Sequence, residues 1–294
     1  MNGPDRSALI AVLRQTRRPW RVYSERLEQG EKPLEILRRE LTETDGGQTT
    51  LIGSDAETLL AAAAADLEAW QREGFTLVTV LDAGYPINLR FVHDRPPILF
   101  VAGELKAPDR RSLAVVGSRR ASAEGLERAR TLSRHLAMEG YTVVSGLAAG
   151  VDTAAHQGAL AAAGRTVAVI GTGLRHSYPP ENAELQRKLV RDTAVVSQFW
   201  PDSPPSRHRF PMRNGVMSGL ALGTAIVEAS VTSGARIQAR LALAHGRPVF
   251  LARELLRQAW AQDLAVRPGV HLYAAPDEVT STLARDTETG VLTA

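Results

Sequence analysis

Residues 113–119, Leu-Ala-Val-Val-Gly-Ser-Arg, decide the fold, because four apolar residues run directly into a glycine turn. The pattern recurs at 143–146, which leads to Gly150, and at 167–170, which leads to the Gly-Thr-Gly turn at 171–173. Short, continuous apolar runs are typical of buried parallel strands. Strands that alternate with helices indicate βαβ units. We therefore predict an α/β fold: an extended Rossmann-like parallel sheet with helices on both faces, preceded by a small helical N-terminal domain.

The glycine turns predict a site for phosphate groups. Each turn joins a strand to a helix, and backbone N–H groups at a helix N-terminus can meet an anion. Open α/β sheets bind ligands at the carboxyl ends of their strands. We therefore expect the chain to bind a nucleotide or a nucleic acid. The phosphate-binding candidates in these turns are Gly117, Ser118, Arg119, Ser145, Gly146, Gly150, Gly171 and Gly173.

Composition narrows the class of protein. The chain has 294 residues, enough for one large or two smaller domains. It has no cysteine, which excludes disulfides, thiolate metal sites and a cysteine nucleophile. The net charge is +3, and nearly all the basic residues are arginine, which fits either a GC-rich genome or phosphate recognition. We find no transmembrane run and no signal peptide, so no membrane contact is predicted and a cytoplasmic location is expected.

The order of the patterns predicts the domains. Residues 1–105 form a helical N-terminal domain and connector, 106–284 a Rossmann-like domain, and 285–294 a tail. In the first domain Asp55 is predicted to cap a helix over 56–72. In the second, Asp152 is predicted to cap a helix. A proline-rich loop at 199–211 is predicted to precede a helix over 214–220.

A basic run with an aromatic residue closes the proline-rich loop. Arginines interleaved with an aromatic ring suit backbone phosphates and stacked bases, although a solvated loop is the plainer alternative. The turn at 233–234 opens a further helix. The candidates from these two segments are Arg207, Arg209, Phe210, Arg213, Asn214, Ser233 and Gly234.

Three titratable residues are candidates for a pocket. Asp152 either caps its helix or contacts a ligand, and His156, one turn later, is either structural or part of a site. Glu228 either holds a ribose hydroxyl or caps a neighbouring helix. The chain lacks a Walker sequence and a Gly-x-Gly-x-x-Gly fingerprint, so ATP hydrolysis and NAD chemistry have no support. We predict no catalytic residue, no metal and no cofactor.

In order and spacing, these motifs resemble the DprA/Smf family of DNA-processing proteins of natural transformation. The resemblance spans about residues 75–251 and rests on the segments at 82–86, 96–103, 115–119, 144–152, 155–156, 171–174, 178–179, 182, 210–214, 227–229 and 233–234. It implies an extended Rossmann domain that binds single-stranded DNA, forms a homodimer and helps to load a RecA-type recombinase on incoming strands. It also implies a binding protein, not an enzyme.

The chain departs from the family pattern around the expected pocket. The family usually has glutamate where this chain has Gln198, which joins the possible pocket residues. It usually has arginine at Gly215, a threonine–alanine pair at 238–239, where this chain has Gln-Ala, and proline–glycine at 252–253, where this chain has Ala-Arg. The winged-helix domain common at the C-terminus is expected to be missing, because only about forty residues follow.

Two alternatives stay open. The departures allow a changed ligand, as in a nucleotide-sensing or defence-associated module. In addition, Gly223-Thr224 with Glu228 is similar to the signature of phosphoribohydrolases of the lysine-decarboxylase-like fold family, although its spacing is one residue too long. An enzyme acting on nucleoside monophosphates is therefore the minority hypothesis.

Overall fold

The computed structural model describes residues 1–16, 18–43 and 52–288. These residues fall into two compact units. The first consists of Met1–Tyr85 with Pro96–Leu99, and the second of Pro86–Arg95 with the chain from Phe100 onwards. The predicted domain limits after 105 and 284 stay predictions, and residues 289–294 of the predicted tail lie outside the described part.

The first unit is built from helices, as predicted. Its elements are α1 (Gly3–Gln15), α2 (Arg21–Glu28), α3 (Pro33–Glu43), α4 (Ile52–Arg72) and strand β1 (Phe75–Thr79). Helix α1 packs against α3 and α4. Asn2 caps α1 by accepting the Asp5 N–H at 2.9 Å. The prediction that Asp55 caps a helix at 56 is wrong: α4 already includes Ile52, and an acidic residue is equally favourable within a first turn.

The second unit alternates strands and helices. Its strands, of which β2 begins with two residues assigned to the first unit, are β2 (Ile98–Gly103), β3 (Ser112–Val116), β4 (Thr142–Ser145), β5 (Thr166–Val169), β6 (Ala194–Ser197), β7 (Gly223–Ile226), β8 (Val249–Ala252) and β9 (Val270–Tyr273). Its helices are α5 (Ile87–Arg90), α6 (Ala123–Met138), α7 (Val151–Ala161), α8 (Ala183–Asp192), α9 (Arg209–Leu220), α10 (Ala235–Ala244), α11 (Ala259–Ala265) and α12 (Pro276–Glu288).

The strand order creates a crevice at the centre of the sheet. The strands of the second unit lie in the order β2-β6-β5-β4-β3-β7-β8-β9. Among these described strands of the second unit, only the β2–β6 pair is antiparallel. From β3 the chain moves outward through β4, β5 and β6, then returns to place β7 on the other side of β3. Adjacent strands whose connections leave in opposite directions form a topological switch point, where α/β sheets bind ligands.

Helices cover the sheet in two groups. Helices α6 and α7 pack against each other and against β3 and β4, whereas α9 and α10 pack against each other. Helix α9 also contacts β3, β4 and β5, and α10 contacts β7 and β8. Right-handed crossovers in opposite directions place such groups on opposite faces. Strands β3 to β8 are buried along their whole length, which explains their uninterrupted apolar sequences. The predicted fold class is confirmed.

Two helix starts differ from the prediction. Helix α9 begins at Arg209 and not at 214, so the end of the basic run is helical; Pro211 lies in the first turn, where a missing N–H costs no hydrogen bond. Helix α7 begins at Val151 after Gly150, so Asp152 lies inside its first turn. No helix in the described ranges combines the length and apolar character that a membrane span requires.

Candidate phosphate-binding cleft

A cleft of about 740 Å³ opens at the carboxyl edge of the sheet, beside the switch point. We call it the switch-point cleft. The turn after β3, the loop before α7, the start of α9 and the turn before α10 contribute to its wall. Among the sequence-predicted residues, it brings together Gly117, Ser118, Arg119, Asp152, Arg207, Phe210, Arg213, Asn214, Ser233 and Gly234. The predicted residues that do not line it are Ser145, Gly146, Gly150, Gly171, Gly173, Arg209, His156, Gln198 and Glu228.

In the turn after β3, side chains are more available to bind an anion than backbone amides are. The Ser118 N–H donates to the Glu228 carbonyl at 2.7 Å, and the Arg120 N–H donates to Ser118 Oγ at 3.1 Å. Gly117 is required for packing, because a Cβ there would lie 2.6 Å from both the Glu228 carbonyl oxygen and a Val151 methyl. The exposed guanidinium groups of Arg119 and Arg120 are therefore the main groups that this turn presents to an anion.

Aromatic rings stand beside these arginines. The Arg119 guanidinium carbon lies 4.9 Å from the Phe210 ring centroid. Phe210 in turn lies 5.5 Å from the Tyr178 ring, at an interplanar angle of 37°. Gly171 lies beneath Phe210, since a Cβ there would approach the ring to 2.6 Å. Gly171 therefore positions the aromatic ring and does not itself line the cleft.

Two buried side chains of opposite charge form the floor. Arg213 and Asp152 are each only 5% exposed. Arg213 Nη1 donates to the Val169 carbonyl at 2.9 Å, and the Asp152 carboxylate accepts the Gly146 and Ala148 N–H groups at 3.1 and 3.4 Å. Burial lowers the pKa of Arg213, and Asp152 acts in the opposite direction. Burial raises the pKa of Asp152, which Arg213 opposes. The prediction that Asp152 caps α7 is therefore wrong. Its carboxylate instead accepts hydrogen bonds from the loop that precedes the helix.

The loop between β4 and α7 is fixed from several sides. Ser145 Oγ donates to the Val115 carbonyl at 2.7 Å and is buried, so this hydroxyl does not face the cleft. Leu147 has a φ of 56°, in the left-handed region that costs a non-glycine residue free energy. The Asn182 amide donates to the Leu147 carbonyl at 2.9 Å. Gly150 has a φ of 80°, and a Cβ there would meet the backbone carbonyls of the turn after β3.

The arginines of the basic run have different roles. Arg207 is exposed and lines the cleft. Arg209 is directed elsewhere: it donates to the Pro204 carbonyl at 2.5 Å, and its guanidinium lies 5.5 Å from the Phe199 ring. Gly173 is buried against the backbone of residues 200–201. The side chains of this basic run therefore lie in different surroundings, although the residues are neighbours in sequence. The sequence alone does not show which of them face the cleft.

Glu228 and His156 are both engaged outside the cleft. The Glu228 carboxylate accepts the Ser122 N–H at 2.9 Å and the Ser122 hydroxyl at 2.5 Å, where Ser122 caps α6. This geometry fits the helix-capping alternative. His156 is fully buried, and its Nδ1 lies 2.7 Å from Thr166 Oγ1. Burial lowers the pKa of His156 to about 3.

Sequence reasoning missed part of the cleft wall. Arg120 directly follows the predicted site residue Arg119, and Tyr178 belongs to a Tyr-Pro pair in the loop after β5. The sequence therefore offered a reason to include both as site residues. The remaining residues come from a helix face or a polar turn and show no pattern. The missed lining residues include Arg120, Tyr178, Met217, Ser230, Thr232, Ile237 and Gln238.

The cleft is cationic. Arg119, Arg120 and Arg207 are exposed at its rim, and Asp152 is the one acidic residue among the described residues that line it. The Asp152 carboxylate faces the buried Arg213 and the loop amides, so its charge is largely offset inside the protein. A cleft with exposed arginines and aromatic rings can hold phosphates and planar bases.

Comparison with known proteins identifies the family. Residues 76–283 match the family described as DNA recombination-mediator protein A. The chain is 34% identical over 185 residues to the DNA processing protein DprA of Bacillus subtilis and 40% identical over 176 residues to that of Streptococcus pneumoniae. These matches cover 63% and 60% of this chain and 62% of each relative, so the chain spans about three fifths of their length.

Solved structures agree with the sequence match. The X-ray structure of DprA from Streptococcus pneumoniae superposes with a TM-score of 0.72 at 27% identity, covering 96% of this chain and 98% of that chain. A structure of DNA processing protein A from Helicobacter pylori, described for its single-stranded DNA binding mode, gives a TM-score of 0.64 at 25% identity and covers 72% of this chain and 96% of that chain. The chain belongs to the DNA recombination-mediator protein A family, the DprA/Smf proteins.

Proposed function

We propose that the chain binds single-stranded DNA in the switch-point cleft and acts as a recombination mediator. The observation that carries this proposal is the exposed Arg119 guanidinium over the Phe210 ring, inside a cationic cleft at the switch point. Arginines along a groove neutralise backbone phosphates, and aromatic faces stack with unpaired bases. The Helicobacter pylori relative, described for its single-stranded DNA binding, supports this assignment.

The partners in this proposal follow from family membership. A recombination mediator acts on a recombinase, so we include a RecA-type recombinase as the protein partner. We also include a homodimer as the working form and the cytoplasm as the location. A pull-down of purified recombinase on DNA-bound protein, together with light scattering to determine the molar mass, tests the first two.

The proposal includes no chemistry on the bound nucleic acid. Hydrolysis needs a positioned acid or base, or a metal with its ligands. The three candidate acid or base groups are already engaged in hydrogen bonds. Asp152 accepts from loop amides, Glu228 accepts from Ser122, and His156 is hydrogen-bonded to Thr166 in the interior. Binding requires only the arginines and rings at the cleft.

A nucleotide is the second candidate ligand, and Gln238 is the observation that favours it. Gln238 lines the cleft at 1% exposure, and its Nε2 donates to Thr224 Oγ1 at 3.3 Å. Its Oε1 has no hydrogen-bond partner. A buried amide oxygen without a partner costs free energy, and a small shift of the side chain would let a base amino group or a ribose hydroxyl satisfy it.

The two candidates are separated by one titration series. Fluorescence polarisation is measured with a labelled single strand, the matching duplex and a labelled mononucleotide, at several salt concentrations. We expect the single strand to bind most tightly and its affinity to fall as salt rises. Tighter binding of the mononucleotide, with no gain for longer strands, would favour the nucleotide module, and equal binding of duplex and single strand would contradict the DNA proposal.

A further inference from the structure

A second cluster of functional groups lies outside the cleft. His93, Asp94 and His245 each bring one potential ligand atom within 4.8 Å of the others. His245 follows α10, whereas the cleft adjoins the opposite end of that helix. None of the three residues lines the cleft. We infer that this cluster is a divalent transition-metal site, best suited to Zn²⁺.

The donor set is the first argument. Two imidazole nitrogens and one carboxylate oxygen suit Zn²⁺ and similar metals, which accept three protein ligands and one open position. His245 Nε2 already lies 2.8 Å from Asp94 Oδ1, and the His93 ring meets the His245 ring edge-on, with centroids 5.3 Å apart. Metal–ligand bonds of about 2.0–2.2 Å in tetrahedral geometry place two ligand atoms roughly 3.4 Å apart. An inward turn of the exposed His93 ring, together with a small widening of the His245–Asp94 separation, therefore completes the set.

The orientation of His245 is the second argument. Its Nδ1 lies 3.0 Å from Ser218 Oγ. A ligating histidine usually donates its other ring N–H to an oxygen in this way. In this tautomer the Nε2 lone pair is directed to the side of Asp94 and is available to an ion. Without an ion, the other tautomer lets Nε2–H donate to the Asp94 carboxylate while Nδ1 accepts from the Ser218 hydroxyl, so the same hydrogen-bonding groups serve both states.

Access is the third argument. The His245 side chain is fully buried, the Asp94 side chain is 30% exposed, and His93 is exposed. The site is therefore closed by the protein interior on the side of His245 and open to solvent on the side of His93, where an ion can enter. Gly215 on α9 keeps that space clear, because even a Cβ there would come within 3.2 Å of Asp94 Oδ2.

A metal at this site would tie together three parts of the second unit. His93 and Asp94 belong to the segment Pro86–Arg95, Ser218 to α9, and His245 to the end of α10. The same two helices carry or adjoin the residues of the switch-point cleft. The role that fits is structural: the ion clamps the helices from the end remote from the cleft and takes no part in contacts with DNA.

The test uses the full chain, stripped with a chelator and desalted. Calorimetric titration with ZnCl₂ should show one ion per chain, and Co²⁺ should give the visible absorption of a low-coordinate site. At a hundredfold excess over the dissociation constant, Zn²⁺ should raise the Tm by about 5–10 °C. Mg²⁺ should give neither effect, because it prefers oxygen ligands.

His93→Gln is the decisive variant, because His93 is exposed and its loss should leave the fold intact. We expect at least a tenfold loss of Zn²⁺ affinity, with an unchanged Tm in the absence of metal. Asp94→Asn should show a similar loss of Zn²⁺ affinity, and His135→Gln, which alters a histidine outside the cluster, should bind as the parent does. No stoichiometric Zn²⁺ uptake by the parent chain, or equal uptake by His93→Gln, would overturn the inference and leave a hydrogen-bonded network only.

Discussion

The Arg119 guanidinium lies over the Phe210 ring in the wall of the switch-point cleft, with the guanidinium carbon 4.9 Å from the ring centroid. The arginine comes from the turn after β3 and the ring from the first turn of α9, so the contact joins two elements that are distant in sequence. A cation–π contact fixes the position of the guanidinium without using its N–H groups as donors. Arg119 is therefore positioned in advance for a phosphate.

Arg119→Ala should weaken single-stranded DNA binding by about tenfold or more, because a charge-assisted hydrogen bond contributes roughly 1.5–3 kcal/mol. The slope of log affinity against log salt should fall by about 0.7 for one lost phosphate contact. Polarisation titrations at several salt concentrations measure both. Arg134→Ala on α6, an exposed arginine outside the cleft, is the matched control. An unchanged affinity and slope in folded Arg119→Ala would contradict the prediction.

Arg207→Ala and Arg209→Ala should differ, although the residues are neighbours. Arg207 lines the cleft, so its loss should lower DNA affinity and the salt slope. Arg209 donates to the Pro204 carbonyl and lies over Phe199, so its loss should change the stability of the loop more than DNA binding. Parallel DNA titrations and thermal melts of the two variants test this. Equal losses of affinity would show that Arg209 turns into the cleft when DNA binds.

Gly146→Ala should destabilise the protein. A Cβ at Gly146 would overlap the Arg213 guanidinium and lie 2.6 Å from the Asp152 carboxylate. Forcing apart a buried, well-packed pair typically costs about 1–3 kcal/mol. Urea unfolding gives the change in the free energy of unfolding. Gly234→Ala is the control, because a Cβ there meets nothing within 4 Å and its φ is −59°; this variant should stay within about 0.5 kcal/mol of the parent.

Glu228→Ala should lower stability by about 1 kcal/mol, because it removes the carboxylate that holds the cap of α6. The variant, like the parent chain, should have no hydrolytic activity on nucleotides. The parent chain and the variant, incubated with nucleoside mono- and triphosphates with and without Mg²⁺, should both yield no product above background. Steady turnover by the parent that disappears in Glu228→Gln would establish the phosphoribohydrolase-like alternative.

His156 should make stability fall as the pH falls. Thr166 Oγ1 donates to the Val143 carbonyl at 2.8 Å, so it accepts the His156 Nδ1–H, and Nε2 stays unprotonated without a partner. Burial lowers the pKa of His156 to about 3, against about 6.5 in the unfolded chain. Between these values the unfolded state binds more protons, so stability is full above pH 6.5 and is lost toward pH 3, by up to about 1.4 kcal/mol per pH unit.

Urea unfolding between pH 7 and pH 4 measures this slope. His156→Asn keeps a polar atom near the position of Nδ1 and removes the titrating ring, so its stability should depend less on pH than that of the parent. Parallel pH profiles for the two proteins would show that other groups cause the acid sensitivity.

The central fold could be read from the sequence because strands β3 to β8 are buried on both faces, which gives short apolar runs. The runs of β3, β4 and β5 also lead into glycine. The elements after β8 were not predicted: β9 is only partly buried, and α11 and α12 each bury a few residues. The start of α9 was missed because Pro211 was interpreted as part of a loop, whereas a proline fits a first helical turn.

The candidate site was predicted in outline but not in its details. The glycine turns marked the edge of the sheet at which the cleft opens. Whether a residue lines the cleft depends on side-chain direction: Arg207 faces it, Arg209 turns to Phe199, and Arg213 is buried against Asp152. Gly146 and Gly171 are small to make room for Arg213 and Phe210, not for a ligand. Such reasons lie in tertiary contacts, which no local pattern records.

The left-handed backbone of Leu147 has a consequence for the energetics of recognition. The free-energy cost of this conformation arises when the protein folds and not when a ligand binds. The Asn182 amide and the burial of the Leu147 side chain hold the backbone in this conformation without any ligand. A loop that is already ordered loses little further entropy when a strand arrives. Association should therefore leave this stretch of backbone unchanged, and amide hydrogen exchange at residues 145–150 should be slow in the free protein and stay so when DNA is bound.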